Sequence, residues 1–460
     1  MFSSRGTIQS FGLTVSALVL LLSFGLPAVA GEPTKGEAIQ PGAEGAATVR
    51  AEEYASLQAA IDALPEGGGK IAIPAGRFEV LEPLTLSRGD VMIQGAGSAT
   101  HIVNRNETGK AALVIQPPEG VKSIWRVQIA DLRVTGNPKS GAGIYAKSVD
   151  EILISRVASE HNGTDGILLD NCYEDARVCD SLMNYNKNVG LNLLGCHDIV
   201  VSANQFEENM DAVHCIDGYN LTMTGNNVDD HLGNGVVVAN TYGSVVSGNM
   251  IEECNGHAVV LRGECYGDTL SANTFAHCKG AGVRLEGVRC ITISANTFVL
   301  LAEPAVHALP GAGQLTITGN TFNRYPFDPS KRHKLDPGQG ILLESAKDVT
   351  INGNSFVLTA KAAIRTSGRD NMRINITGNT ILNPSQDERG THPGMYLENL
   401  TKSIIANNIV TDDQDWRTMK QPIIFSGAVE SNIVTGNILD GQDDSGLPAG
   451  GRPASGNILR

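Results

Sequence analysis

Aromatic residues make up only 5% of this 460-residue chain and charged residues 18%. With so few large side chains, one deep aromatic core is not available. An excess of basic charge is also missing. The formal net charge of −14 argues against a nucleic-acid partner, although it leaves room for a polyanionic ligand wherever basic residues cluster. Beyond the N-terminal region no run is apolar enough to cross a membrane. No CxxC or Cys/His spacing suggests a zinc site. Apart from one early segment, apolar spacing of the helical kind is absent. What is plentiful is glycine, 52 residues, which fits a turn-rich all-β protein.

The pattern that fills the chain is Leu315-Thr-Ile-Thr-Gly-Asn-Thr-Phe322. It returns as Leu221-Thr-Met-Thr-Gly-Asn226, Ile291-Thr-Ile-Ser-Ala-Asn-Thr-Phe298 and Val349-Thr-Ile-Asn-Gly-Asn-Ser-Phe356, with weaker copies between and beyond. From Asn204 to Asn320 the asparagines are 22, 23, 24, 23 and 24 residues apart. A fixed period of this length means stacked supersecondary units. Val, Ile and Thr alternate with period two, and Gly and Asn mark corners. One Asn per rung, repeated at a strand spacing of about 4.8 Å, can bond to the rungs above and below. Leucine-rich repeats have a similar length, but their Leu positions and helical segment are missing. The pattern therefore predicts a parallel β-helix of roughly a dozen rungs.

At the N-terminus, Arg5, an apolar core from Leu13 to Leu26 and Ala28-Val-Ala30 read as a cleaved secretory signal over residues 1–30. The mature chain is then expected outside the cytoplasm, secreted or periplasmic, with no membrane attachment and as a monomer. Residues 31–50 read as a disordered lead-in. Glu52 to Leu64 is the one amphipathic helix, with Tyr54, Leu57, Ile61 and Leu64 on one face, placed to cap the open end of the solenoid. The β-helix is expected over 51–440 and a tail or cap over 441–460.

The run SLQAAIDALPEGGGKIAIPAGRF (residues 56–78), then VMIQGAG (91–97) and the Asn-marked rungs, resembles the pectate-lyase-like superfamily. The resemblance implies a single-stranded right-handed parallel β-helix, and right-handedness also follows the crossover rule. It does not fix an activity, because that superfamily holds lyases, hydrolases, epimerases, tailspikes and proteins without known catalysis.

Eight cysteines in an exported chain raise the question of disulfides. Cys172 with Cys196, and Cys254 with Cys278, fall in matching columns of adjacent rungs, about 4.8 Å apart. Either a disulfide or an inward stack of free thiols suits that placement. Cys265 and Cys290 do not align cleanly, and Cys179 and Cys215 have no evident mates.

The residue just before each Gly-Val-type strand runs Asp165, Val189, Asp211, Asn234, His257 and Ala281. Asp211, Asn234 and His257 form a polar line at one-rung spacing, while His214, Arg262 and Arg284 project from the strands that follow. A carboxylate and an imidazole can exchange protons near neutral pH, and Asn or Arg can stabilise charge developing on a uronate. Asp165, Asp211 and His257 are therefore the candidate catalytic groups, with Asn234, His214, Arg262 and Arg284 binding substrate. Asp165 and Asp211 are two rungs or about 9.6 Å apart, the upper edge for an inverting hydrolase and too far for a retaining one. A lyase or epimerase would instead centre on Asp211, Asn234 and His257. The fragments around Asp165, Asp211, His257 and Arg284 resemble the polygalacturonase pattern. A paired Asp, a Gly after His257 and a Lys after Arg284 are missing, so that activity is not carried over.

Three late rungs carry extra residues at 323–338, 383–392 and 411–421, all just before the Gly-Val-type strand. Repeat insertions gather on one face, often the binding face. The first holds Arg324, Lys331, Arg332, His333 and Lys334 beside Tyr325, a candidate for stacking on an anionic sugar. The acidic runs Asp412–Asp415 and Asp440–Asp444 offer oxygen ligands to Ca²⁺, but neither matches a full calcium loop and a solvated turn is the better reading. No cofactor or resident metal is expected. The function this points to is an exported protein acting on an acidic, uronate-containing polysaccharide by β-elimination, epimerisation or hydrolysis. The alternative is a non-catalytic β-helix that binds a glycan or cell surface. A copper-maturation role on the same fold is disfavoured because no Met/His/Cys cluster is visible.

Overall fold

A computed structural model describes residues 47–324, 338–440 and 457–459. The signal segment, most of the lead-in, Tyr325 with the basic stretch to Lys334, and most of the tail lie outside the described residues.

Every strand pairing is parallel and joins one rung to the next. Fourteen strands, from Leu84–Leu86 to Ile423–Ser426, form one face, so the rungs number fourteen by this face where a dozen was expected. The other faces merge into a 31-stranded sheet. The strands follow from period-two patterning. In Val283–Glu286 the side chains of Val283 and Leu285 are buried, while Arg284 and Glu286 point outward. Inward positions stack in columns, as with Phe298, Phe322 and Phe356, whose ring centroids are 4.7 and 4.4 Å apart.

The asparagine ladder runs unbroken from Asn204 to Asn457. Each Oδ1 accepts from the side chain and the backbone N–H of the rung before it. The Asn249–Asn273 and Asn273–Asn296 side-chain bonds are both 3.0 Å, and the last step, Asn437 to Asn457, is 3.1 Å. These side chains are buried, so each satisfies a corner amide that water cannot reach. A second, shorter ladder, Asn162–Asn186–Asn209, occupies another corner and continues as His231, Cys254 and Cys278. On the outside, Tyr173, His197, Tyr219, Tyr242 and Tyr266 stack across five rungs with centroids 4.3 to 5.4 Å apart.

The N-terminal segment departs from expectation in two ways. Thr48–Arg50 is a strand paired with Gly69–Ala72, so regular structure begins inside the span read as disordered. The single helix over 52–64 is broken: Ala51–Glu53 is a 3₁₀ turn, and the α-helix is only Leu57–Asp62. Ser56 is extended and its Oγ accepts from Ala59 N–H, starting the helix late. Tyr54 is thereby left 38% exposed, while Leu57, Ile61 and Leu64 join the core of the first rungs.

All eight cysteines are free thiols. Cys172 and Cys254 have their acidities pushed well down (pKa up) by a hydrogen bond to Cys196 and Cys278 respectively and by burial. Of the two alternatives, the structure takes the thiol stack.

Candidate functional site

The fourteen-stranded sheet presents one outward row with one residue per rung. From His214 it reads Val237, Val260, Arg284, His307, Leu342, Arg365 and Tyr396. The column of Asp165, Asp211, Asn234 and His257 lies at the start of these strands, in the register the period implies, since Val189 faces Asp211.

That column is not an exposed edge. Asp165 is 5% exposed, and the side chains of Asp211 and His257 are 13% and 20% exposed. Each polar group is tied to the next rung. Asp165 Oδ1 accepts from Val189 N–H at 3.1 Å and from Asn188 Nδ2 at 2.7 Å. Asp211 Oδ1 accepts from Asn234 N–H at 2.5 Å, Asn234 Oδ1 from His257 N–H at 2.9 Å, and His257 Nδ1 from Ala281 N–H at 2.8 Å. A corner amide without an in-plane carbonyl needs an acceptor, and these side chains supply it. Glycine makes the room. A Cβ at Gly256 would stand 2.5 Å from Asn234 Oδ1, and one at Gly233 would stand 2.3 Å from Asp211 Oδ1.

Asp211 has a second partner, His214 Nε2, 2.7 Å from its other oxygen. Burial alone would raise the Asp211 carboxyl, but the bonds from His214 and Asn234 outweigh it and hold it below its ordinary value. The ionised carboxylate fixes Nε2 as the donor, so Nδ1 of neutral His214 carries the lone pair. Asp165 goes the other way: burial raises it, against the bonds from Val189, Asn192 and Asn188. His257 is lowered chiefly by burial, with Glu303 opposing and Arg284 adding to the effect. Accepting at Nδ1 leaves its proton on Nε2.

The structure thus brings Asp211, His214 and Asn234 together and keeps Asp165 and His257 two rungs to either side of Asp211. Arg284 is held by Glu286 at 2.6 Å. Arg262 faces Glu286 in the neighbouring row. Sequence reasoning missed Glu303, 3.9 Å from His257, and the His307–Glu344 pair at 2.6 Å. It also missed Lys361, Arg365, His392 and Lys420, which surround a hollow on later rungs of the same edge. The insertions at 383–392 and 411–421 were the signal for these. Asp412, read as part of a solvated acidic turn, is buried, and its Oδ2 accepts from Thr418 N–H and Met419 N–H at 2.6 and 2.7 Å. It pins the inserted loop.

Residues 122–307 match a family described as periplasmic copper-binding protein (NosD), and residues 234–439 one described as right-handed β-helix region. No curated protein matches the chain. Among solved structures it is similar to ORF18 of Geobacillus virus E2, with 14% identity, 61% of this chain and 58% of that chain covered, and a TM-score of 0.47. The chain spans less than two thirds of that viral protein. It is also similar to the family 28 exopolygalacturonase of Yersinia enterocolitica, with 12% identity, 84% and 78% coverage and a TM-score of 0.48. A third is the A-module of mannuronan C-5 epimerase AlgE4 from Azotobacter vinelandii, with 18% identity, 83% and 99% coverage and a TM-score of 0.43. Copper favours imidazole and sulfur ligands. Among the described residues, the only three His, Cys or carboxylate groups within 4.8 Å of one another are Asp229, Asp230 and Glu253, a hard oxygen set that does not fit copper. No described helix is long and apolar enough to cross a membrane. The parallel one-strand-per-rung register, the repeat period and the β-helix match make this chain a right-handed parallel β-helix repeat protein.

Proposed function

We propose that the protein is exported, secreted or periplasmic, and acts as a monomer on an acidic, uronate-containing glycan laid along the outward row of the fourteen-stranded sheet. The observation that carries this reading is the Asp211–His214 pair at 2.7 Å on that row. Asp211 orients the ring by accepting from Nε2, so His214 Nδ1 is the base that removes a proton beside a sugar carboxylate. His257, with its proton on Nε2, stands two rungs away as a hydrogen-bond donor, and Asn234 and Arg284 lie between and beside them to meet developing charge. Asp165 is buried and engaged with Asn188 and Val189, which favours elimination or epimerisation over two-carboxylate hydrolysis.

The test is a screen of uronate polymers that reads ultraviolet absorbance of unsaturated products, new reducing ends and epimer content separately. Turnover lost in both Asp211→Asn and His214→Gln supports the assignment. Full activity in either variant overturns it. A second reading has its own support: every group of the column already caps a backbone amide, which is a structural task. On that reading the protein binds a glycan or cell surface without turnover, so the screen yields no product while calorimetry with the same polymers shows binding.

A further inference from the structure

Six rungs beyond His214, about 29 Å along the axis, the same row reaches Arg365 and then Tyr396. Three residues before the strands that start at Ile364, Met395 and Ile423 stand Lys361, His392 and Lys420, at the same edge of consecutive rungs. Lys420 N–H donates to the carbonyl of His392 at 2.9 Å, which fixes that alignment. Together with Arg365 and Tyr396 they surround a hollow of about 150 Å³ whose lining, among the described residues, contains no carboxylate.

This arrangement runs against the local rules of a stable sheet. Like charges on neighbouring strands repel, and the chain as a whole has carboxylates to spare at a net charge of −14. Other outward arginines of the solenoid have a carboxylate partner, as Arg284 has Glu286 and Arg373 has Asp348. Among the described residues, Lys361, Arg365 and Lys420 enter no ion pair, and Arg365 Nε and Gln339 Oε1 are buried without a hydrogen-bond partner. The Arg365 guanidinium lies 5.4 Å from the centre of the Tyr396 ring, which steadies it by cation–π attraction. A planar donor fork held against a ring, with two ammonium groups beside it, is the chemistry that recognises an oxyanion. The hollow is smaller than pockets for drug-sized ligands, about 300 Å³ and upward, so it admits one substituent of a sugar and not a whole oligomer.

We propose that Lys361, Arg365, His392 and Lys420 form a carboxylate subsite that holds one uronate unit of a polymer remote from the Asp211–His214 pair. The ligand class rests on the function proposed above, whereas the site uses none of its acid–base groups. Calorimetry on the full-length mature protein would compare oligomers of galacturonate, mannuronate, guluronate and glucuronate with methyl-esterified oligogalacturonate and inorganic phosphate. At least one oligouronate should bind, and the neutral ester should not. Arg365→Gln and Lys420→Gln should each weaken binding by about ten- to a hundredfold, the range of a charge-assisted hydrogen bond. The exposed control Lys402→Gln should change nothing.

A second readout is the His392 ring, whose titration is held down by burial and by Lys361 and Arg365, with Glu388 and Asp387 opposing. Binding an anion should move it up in NMR. Equal affinity for the ester, unchanged affinity in the loop variant Lys420→Gln, phosphate binding as tightly as every oligouronate, or no binding at all would each overturn the subsite. Binding without turnover would leave it standing and remove the catalytic assignment instead.

Discussion

From Asp165 to His257, the corner ahead of the fourteen-stranded sheet spends its polar groups on the backbone of the next rung. From Lys361 to Lys420 the same edge carries cationic groups that enter no ion pair among the described residues. The position in the fold is the same and the chemistry is opposite. Where a side chain accepts from a corner amide it stabilises the solenoid first, and any catalytic use is added to that. Where like charges gather without ion pairs among the described residues, local stability is given up, which is the pattern expected of a binding site. Reading the two regions side by side separates residues that hold the fold from residues that wait for a ligand.

The sharpest test of the structural side is Asn273→Ala. Its amide donates to Asn296 and to Val246 carbonyl oxygen and accepts from Asn249. Removing it should cost about 3 kcal/mol, since buried donors and acceptors on two rungs are left unpaired. Denaturant unfolding measures this, and activity or binding per folded molecule should be unchanged.

Asp211→Ala comes next. It should lower turnover about a hundredfold and cost about 1–2 kcal/mol through the uncapped Asn234 amide. A near-neutral effect on stability would mean that the capping is incidental and would remove the structural role of the column.

A smaller effect concerns Asp268, buried with one oxygen on Ser244 N–H and the other without a partner. Burial raises its pKa to about 6. A folded pKa above the unfolded one means that the folded state binds the extra proton. Stability is therefore greatest at low pH for this group and falls as pH rises between about 4 and 6. Asp268→Asn should flatten that slope and stabilise the protein by about 1 kcal/mol at pH 7, as read by melting at several pH values.

The smallest effect belongs to the other region. Lys420→Gln should leave the melting temperature unchanged or slightly higher, the more so at low salt. A clear loss of stability would show that the basic stack is structural after all and would erase the contrast.

Much of this was legible without a structure. The ladder from Asn204 to Asn320 and the order Asp211, Asn234, His257 follow from positions 22 to 24 residues apart, because each rung repeats its neighbour's backbone bonds. The environment of those side chains was not legible. Corner residues look exposed in a one-rung view, and only the neighbouring glycine and amide show that they are covered. The amphipathic stripe at 52–64 was read correctly for Leu57, Ile61 and Leu64 and failed at Tyr54, because Ser56 offers the backbone a cap that periodicity does not report.

By itself, then, the sequence determined the solenoid, its period and the members of the polar column, because those depend on contacts at constant sequence separation. Only the tertiary structure decided that Lys361, His392 and Lys420 are neighbours. They are 31 and 28 residues apart, since insertions of unequal length break the period there. Strand register across rungs is set by backbone pairing and not by chain length, so charges that the sequence scatters are brought to one edge on successive rungs.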